Sequence, residues 1–233
     1  MKKVSSFLYY YLRSMRLYYA FVTGSTVLVG VAVNISWGGV PWYTWQCAAI
    51  VIIGYFAWGV NQIFNDWSNL AEDRINAPHR PMVTGKLPAS PALAVSCVLM
   101  LIFIGISYLA NPWCLLPLAV GAVFNLLYSF SKRLPILGNL VYGVSITMCL
   151  GYGMLGCQAG EILERKSSWA LLGLMIPCLL SNTLMCYFSD LKDIAGDCAA
   201  KKWTMAVLGG YNAALWIGVV FSLPMLGLSL IHI

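Results

Sequence analysis

The sequence predicts an all-α, polytopic helical membrane protein, and three observations carry that prediction. Of 233 residues, 60% are hydrophobic and only 9% are charged, against roughly 25% charged in ordinary soluble domains. Mean hydropathy is +0.78, and apolar runs long enough to cross a hydrocarbon core of about 30 Å recur along the whole chain. The basic residues, finally, are sorted by loop and not spread evenly.

About seven spans follow, each near the roughly 17–25 residues a crossing needs. They are Arg16–Asn34, Tyr43–Phe64, Ala89–Ala110, Trp113–Phe130, Gly138–Gln158, Trp169–Phe188 and Ala206–Ile231. Met1-Lys2-Lys3 leads into a segment with Arg13 and Arg16 and not into a cleavable leader, so the first span is expected to be retained. The second runs into an acidic stretch, Asn65-Asp66-Trp67-Ser68-Asn69-Leu70-Ala71-Glu72-Asp73, and the fourth into Lys132-Arg133. The sixth runs into Asp190-Leu191-Lys192-Asp193-Ile194-Ala195-Gly196-Asp197. No soluble domain or linker interrupts the series, and residues 1–233 are expected to form a single domain.

Topology follows from charge. Lys2, Lys3, Arg13, Arg16, Arg74, Arg80, Lys86, Lys132, Arg133, Lys192, Lys201 and Lys202 fall on one side of the predicted membrane, and only Arg165 and Lys166 on the other. The excess of positive charge places the first side, with the N-terminus and both acidic stretches, in the cytoplasm. The net charge of +6 therefore speaks to orientation and not to nucleic acid. Eight cysteines include no C-x-x-C pair, which argues against a zinc or disulfide framework and for small side chains packing between helices.

The acidic stretches hold six of the eight carboxylates. Acids beside a membrane are costly unless paired or functional. Asn65, Asn69 and Asp73 are spaced i, i+4, i+8 and predict a polar stripe on one helix face, with Asp66 rotated about 100° from Asn65. Asp193 and Asp197 are again i, i+4, with Asp190 three residues before them. Hard oxygen ligands of this kind suit Mg²⁺ shared with substrate phosphates. The cations that follow, Arg80, Lys132 and Lys202 among them, suit the opposite side of a diphosphate. Lys132, four residues after Tyr128, is expected to extend the fourth helix with both side chains on one face.

These residues also carry a family resemblance. Asn65-Asp66-x-x-Asn69-x-x-x-Asp73 followed by Arg74-Ile75-Asn76-Ala77-Pro78-His79-Arg80-Pro81 resembles the first signature of the UbiA-type intramembrane prenyltransferases. Asp190-x-x-Asp193-x-x-Gly196-Asp197, with Lys202-x-Thr204 after it, resembles the second. Tyr128-Ser129, Lys132-Arg133 and Leu137-Gly138-Asn139-Leu140 are similar to the stretch after helix 4. The resemblance implies a ring of membrane helices and Mg²⁺-dependent transfer of a prenyl group. An isoprenyl diphosphate would be the donor and a lipophilic molecule, aromatic or quinone-type among others, the acceptor. It implies Asn65, Asp66, Asp73, Asp190, Asp193 and Asp197 as the metal set, the aspartates among them as catalytic. Asn69, Arg80, Tyr128, Lys132, Lys202 and Arg16 would contact the diphosphate with Asn65. Two departures stand out: Asn69 occupies the place of a usual Asp, and the family usually has about nine spans, so the chain reads as C-terminally short. A UbiA-like terpene cyclase, an ion transporter and an inactive prenyl-lipid-binding homologue are the alternatives. The acceptor, the prenyl length and the oligomeric state are left open by the sequence.

Overall fold

The computed structural model describes residues 2–39, 41–157 and 168–231. Met1, Gln158, Arg165 and Lys166, which entered the sequence reading, lie outside the described residues. The described chain is built of helices and turns. In order they are α1 (Lys2–Met15), α2 (Phe21–Gly38), α3 (Trp45–Ser68), α4 (Leu70–Asn76), α5 (Ala89–Ala110), α6 (Leu115–Ser131), α7 (Leu137–Gly156), α8 (Ser168–Asp190), α9 (Ile194–Ala199) and α10 (Met205–Ile231).

Every predicted span has its helix, but the boundaries and membrane-crossing lengths differ from the sequence reading. Among the described residues, four helices can cross by length and apolarity alone: Trp45–Ser68, Ala89–Ala110, Leu171–Asp190 and Met205–Leu223; the bent pair Val4–Tyr19 and Phe21–Trp37 (56°) makes a fifth if it is one span. The first predicted span fails to start at Arg16 because that residue sits at φ 48°, ψ 48° and breaks the helix ahead of a short 3₁₀ turn. Of the others, α6 has only 17 residues, about 26 Å of rise. In α7, Asn139, Ser145 and Thr147 dilute the apolar run.

The chain divides into two compact units, one from Met1–Leu118 with Cys149–Arg165, the other from Ala119–Met148 with Lys166–Ile233. In the first unit α3 is central, packed by α1, α2 and α5. Val27, Val31, Ile50, Ile53, Cys114 and Tyr152 form one buried cluster, and Tyr11, Met15, Val60, Ile63, Met82 and Leu87 another. The α2–α7 contact depends on glycine: a Cβ at Gly30 would run into the Leu150 carbonyl, and one at Gly153 into the Val27 carbonyl. Such small-residue contacts are what lets helices approach in lipid. Several buried polar groups are paired, Tyr11 Oη with Ser96 Oγ at 2.7 Å, Ser107 Oγ with Tyr152 Oη at 2.7 Å, and Asn34 Nδ2 donating to the Met154 carbonyl at 2.6 Å. In the second unit Tyr187, Ala206 and Ala214 form the buried cluster, and Tyr187 Oη donates to the Ala214 carbonyl at 2.8 Å. Here α10 is interrupted at Gly210, whose φ of 75° and ψ of 169° suit a residue without a Cβ. Outward faces, such as Val98, Leu101, Ile102 and Leu109 on α5, remain apolar and exposed, as a surface solvated by lipid should be.

Candidate functional site

In the first unit the site is built at the joint between α3 and α4. Asn69 leaves helical geometry at φ −106°, ψ 22°. The helical register nevertheless continues, because Asn69 N donates to Asn65 O at 3.0 Å and Asp73 N to Asn69 O at 2.9 Å. Seven residues at 3.6 per turn come within about 20° of two full turns. Asp66 and Asp73 therefore share a face. This corrects the predicted stripe of Asn65, Asn69 and Asp73, since eight residues drift by about 80°. Asn69 serves the joint itself, its Nδ2 donating to the Asn65 carbonyl at 3.0 Å. For Asn65 it is this backbone carbonyl that the structure places in the joint.

A tight turn then returns the chain. Arg80 N donates to Ala77 O at 3.0 Å, Thr84 N to Arg80 O at 2.9 Å and Leu87 N to Pro81 O at 3.0 Å. Gly85 completes it at φ +73°, where a side chain would be strained. The turn presents Arg80, whose Nη1 pairs with Asp73 Oδ2 and lies 3.4 Å from Asp66 Oδ1. From the break before α2, Arg16 Nη2 pairs with the same Asp66 oxygen, while Nη1 donates to Gln62 Oε1 at 2.8 Å. The left-handed backbone at Arg16 costs about 1–2 kcal/mol, and this buried charge pairing offsets it.

The second unit repeats the scheme. Lys132 N donates to Tyr128 O at 2.9 Å, carrying α6 to the lysine as expected. Its Nζ lies 3.1 Å from Asp197 Oδ1 and 3.4 Å from Asp190 Oδ1. Asp190 Oδ2 accepts from Asn139 Nδ2 at 2.7 Å, and Asn139 Nδ2 also reaches Cys186 Sγ at 3.5 Å. Cys186 Sγ in turn donates to Tyr128 Oη at 3.5 Å, and the Tyr128 ring packs on Tyr142 with centroids 5.4 Å apart. Asp193 stands at the head of α9, its carbonyl accepting from Asp197 N at 2.9 Å, and its charge adds to the field on Lys132. Lys202 is buried, with its backbone N donating to Asp197 O at 2.8 Å.

Each unit thus holds two aspartates seven residues apart, one ending a long helix and one in the short helix beyond, with a single cation between them. Burial pushes the Asp73 carboxyl above its usual range against the pull of Arg80, and does the same to Asp197 against Lys132. Burial alone would lower Lys132, but Asp190 and then Asp197 outweigh it and hold the ammonium charged well above its usual range. Among the described residues no three His, Cys, Asp or Glu side chains stand together as a complete metal site. Of the six predicted ligands, Asp66 and Asp73 meet on Arg80 in the first unit, and Asp190 and Asp197 meet on Lys132 in the second. They still fit a hard cation: Asp66 Oδ2 and Asp197 Oδ2 are buried and accept no hydrogen bond. Two carboxylates completed by water and phosphate oxygens are the usual manner of binding Mg²⁺.

Gln62, Asn139 and Cys186 were missed by the sequence reading as members of the site. Asn139 had a signal, an isolated amide inside an apolar run, where an unpaired polar group is expensive. Gln62 lies one turn before Asp66 and was legible as part of the same face. Cys186 had none.

The chain is similar to known proteins in sequence and in fold. The model of the UbiA prenyltransferase family matches residues 19–233. A digeranylgeranylglyceryl phosphate synthase of Thermococcus sibiricus is 31% identical over 188 residues, covering 79% of this chain and 63% of that protein. One of Methanococcoides burtonii is 28% identical over 222 residues, covering 91% of this chain and 75% of that protein. The chain thus spans just under two thirds of the Thermococcus relative's length. Among solved structures, a UbiA homolog from Archaeoglobus fulgidus bound to GPP and Mg²⁺ is similar with a TM-score of 0.70 at 16% identity, covering 94% of this chain and 76% of that one. A digeranylgeranylglyceryl phosphate synthase structure is similar with a TM-score of 0.68 at 20% identity, covering 98% and 77%.

Proposed function

The chain belongs to the UbiA prenyltransferase family, and on that premise we propose that it transfers a prenyl group from an isoprenyl diphosphate to a lipid acceptor within the membrane. The observation that carries this reading is the repeated unit of two buried aspartates astride one cation, Asp66 and Asp73 with Arg80, and Asp190 and Asp197 with Lys132. A diphosphate needs both signs of charge at hand. Asp66, Asp73, Asp190 and Asp197, with Asn65 and Asp193 beside them, would hold Mg²⁺, which supplies charge neutralisation of the leaving diphosphate. Arg80, Lys132, Lys202 and Arg16 would donate to its oxygens, and Tyr128 would stand next to Lys132.

In the reaction the bond from the allylic carbon to the diphosphate oxygen breaks. The acceptor hydroxyl then bonds to that carbon and gives up its proton. The fixed cations favour this step because they face charge that grows on the leaving group and need no reorganisation. Apolar surroundings keep water from the allylic cation. The relatives' name favours a prenylated glyceryl phosphate as acceptor over the aromatic or quinone-type molecule. Charge sorting supports a cytoplasmic N-terminus and cytoplasmic signatures.

The test is to incubate membranes holding the protein with isoprenyl diphosphates of several lengths and candidate acceptors, with Mg²⁺ or EDTA. Diphosphate release and lipid products are followed by mass spectrometry. A Mg²⁺-dependent adduct of tail and glyceryl phosphate lipid is expected. A terpene hydrocarbon or alcohol in its place points to the cyclase, and absence of release at every chain length overturns the enzyme reading.

Asn69→Asp gives a second check. It restores a carboxylate but removes the donor to the Asn65 carbonyl, a loss of about 1 kcal/mol. The variant is expected to need equal or less Mg²⁺ for half-maximal release while melting slightly lower without Mg²⁺. A clearly raised Mg²⁺ requirement would assign the Asn69 amide a specific role in the reaction.

A further inference from the structure

At the far end of the first unit, two thiols meet. Cys47 in the first turn of α3 and Cys157 just past α7 are 110 residues apart in sequence, yet their sulfurs approach to 2.8 Å. Carbon atoms at rest lie about 3.5–4.0 Å apart, and sulfur is larger, so this is closer than two unbonded thiols pack. Both are buried, at 4% and 6% exposure, among Val31, Ile50, Cys114 and Tyr152. Among the described residues no third Cys, His, Asp or Glu joins them to make a metal site. Thr44 caps α3 and fixes the Cys47 side chain, its Oγ1 donating to the sulfur at 3.1 Å.

We propose that Cys47 and Cys157 are the two halves of a disulfide that ties the start of α3 to the end of α7. Cys47 and Asp66 lie on one helix 19 residues apart, about 28 Å at 1.5 Å per residue. The pair therefore sits at the opposite end of a membrane-spanning helix from Asp66 of the first signature. If those are cytoplasmic, which rests on the orientation proposed above, the pair faces the outer, oxidising compartment where disulfides persist. Formation is thiol–disulfide exchange with a disulfide-class oxidant. One cysteine attacks as thiolate, its proton going to solvent, and the second displaces the oxidant's sulfur from the mixed disulfide. The protein loses two electrons and two protons, and the oxidant leaves as its dithiol. Closing so long a loop constrains the unfolded chain strongly.

The experiment counts thiols in the intact protein. Full-length protein is prepared from membranes without reductant, with and without oxidised glutathione, then denatured and alkylated before and after reduction. Six of the eight cysteines should label before reduction and all eight after, with one linked peptide pair containing Cys47 and Cys157. Reduction should also lower the melting midpoint by about 5 °C or more. Eight labelled thiols before reduction in both preparations, or a link that joins either cysteine to another partner, overturns the proposal. Cys47→Ser and Cys157→Ser should each leave seven thiols, all labelled without reduction, with prenyl transfer within twofold of the parent. Failure of the thiol count leaves the transfer reading standing, and failure of the transfer assay leaves the count interpretable.

Discussion

Lys132→Met should lower Mg²⁺-dependent diphosphate release by about 10²–10³-fold and cost the fold about 3–5 kcal/mol. Both effects come from one geometry. The ammonium is 12% exposed and is held between Asp190 and Asp197, side chains that are 6% and 2% exposed. Methionine matches the length of the stem but leaves two buried carboxylates without their counter-charge, which is dearer than never having buried the pair. The two effects separate in a double variant. Lys132→Met with Asp197→Asn removes one of the orphaned charges and should recover much of the lost stability, measured as the melting midpoint in detergent. Release should stay low, because neither the cation nor the second carboxylate has been restored. Recovery of release together with stability would show that Lys132 acts only as a structural counter-ion.

The fold class was legible because it rests on long-range composition. Apolar runs of span length have few alternatives in lipid, and each predicted run has its helix. The local breaks were less so. Arg16 ends a helix through a left-handed backbone, and its reward, the Asp66 pair, lies 50 residues away. No neighbouring residue announces it. At Asn69 the sequence shows a polar stripe, and the i, i+4 spacing suggested that Asn65, Asn69 and Asp73 act together. What decides is the angle summed over two turns, which favours a spacing of seven and hence Asp66 with Asp73. The same spacing separates Asp190 and Asp197, so the pairing rule was present in the sequence twice. Tertiary partners were the part that stayed hidden. Asn139 reaches Asp190 across 51 residues, and only packing of α7 against α8 puts the amide there.

The two units differ in how they fix the helix-ending aspartate, and that difference bears on function. Asp190 is held by a neutral amide on one oxygen and by an ion pair on the other. Asp66 takes two guanidiniums on a single oxygen and leaves its second without a hydrogen bond. Arginine is a planar donor that matches carboxylate and phosphate alike. Arg16 and Arg80 pair with the carboxylates, and on the proposed reading the same guanidiniums would receive a diphosphate. Cations fixed in place by such pairs would supply the preorganisation that electrostatic catalysis requires.

Asp66→Asn should accordingly lower release by about 10²–10³-fold while changing stability by only about 1 kcal/mol. Asparagine has the same shape and keeps a carbonyl oxygen for Arg16, so a purely structural anchor would survive the change. The arginine side chains left behind are 19% and 25% exposed, and partial access to water softens the loss of their counter-charge. What the variant lacks is the negative oxygen for a divalent cation. The Mg²⁺ concentration for half-maximal release should rise at least about tenfold, the order expected when a hard ligand loses its charge. Titrating Mg²⁺ at saturating isoprenyl diphosphate measures this directly, with the melting midpoint of the same preparation as control. Release within threefold of the parent at an unchanged Mg²⁺ requirement would make Asp66 a positioning partner of Arg16 and move the metal to the other carboxylate pair. Arg16→Ala then distinguishes the remaining roles: it removes one of the two guanidiniums on the Asp66 oxygen and keeps the carboxylate, so it should weaken diphosphate binding, seen as a raised KM, without raising the Mg²⁺ requirement.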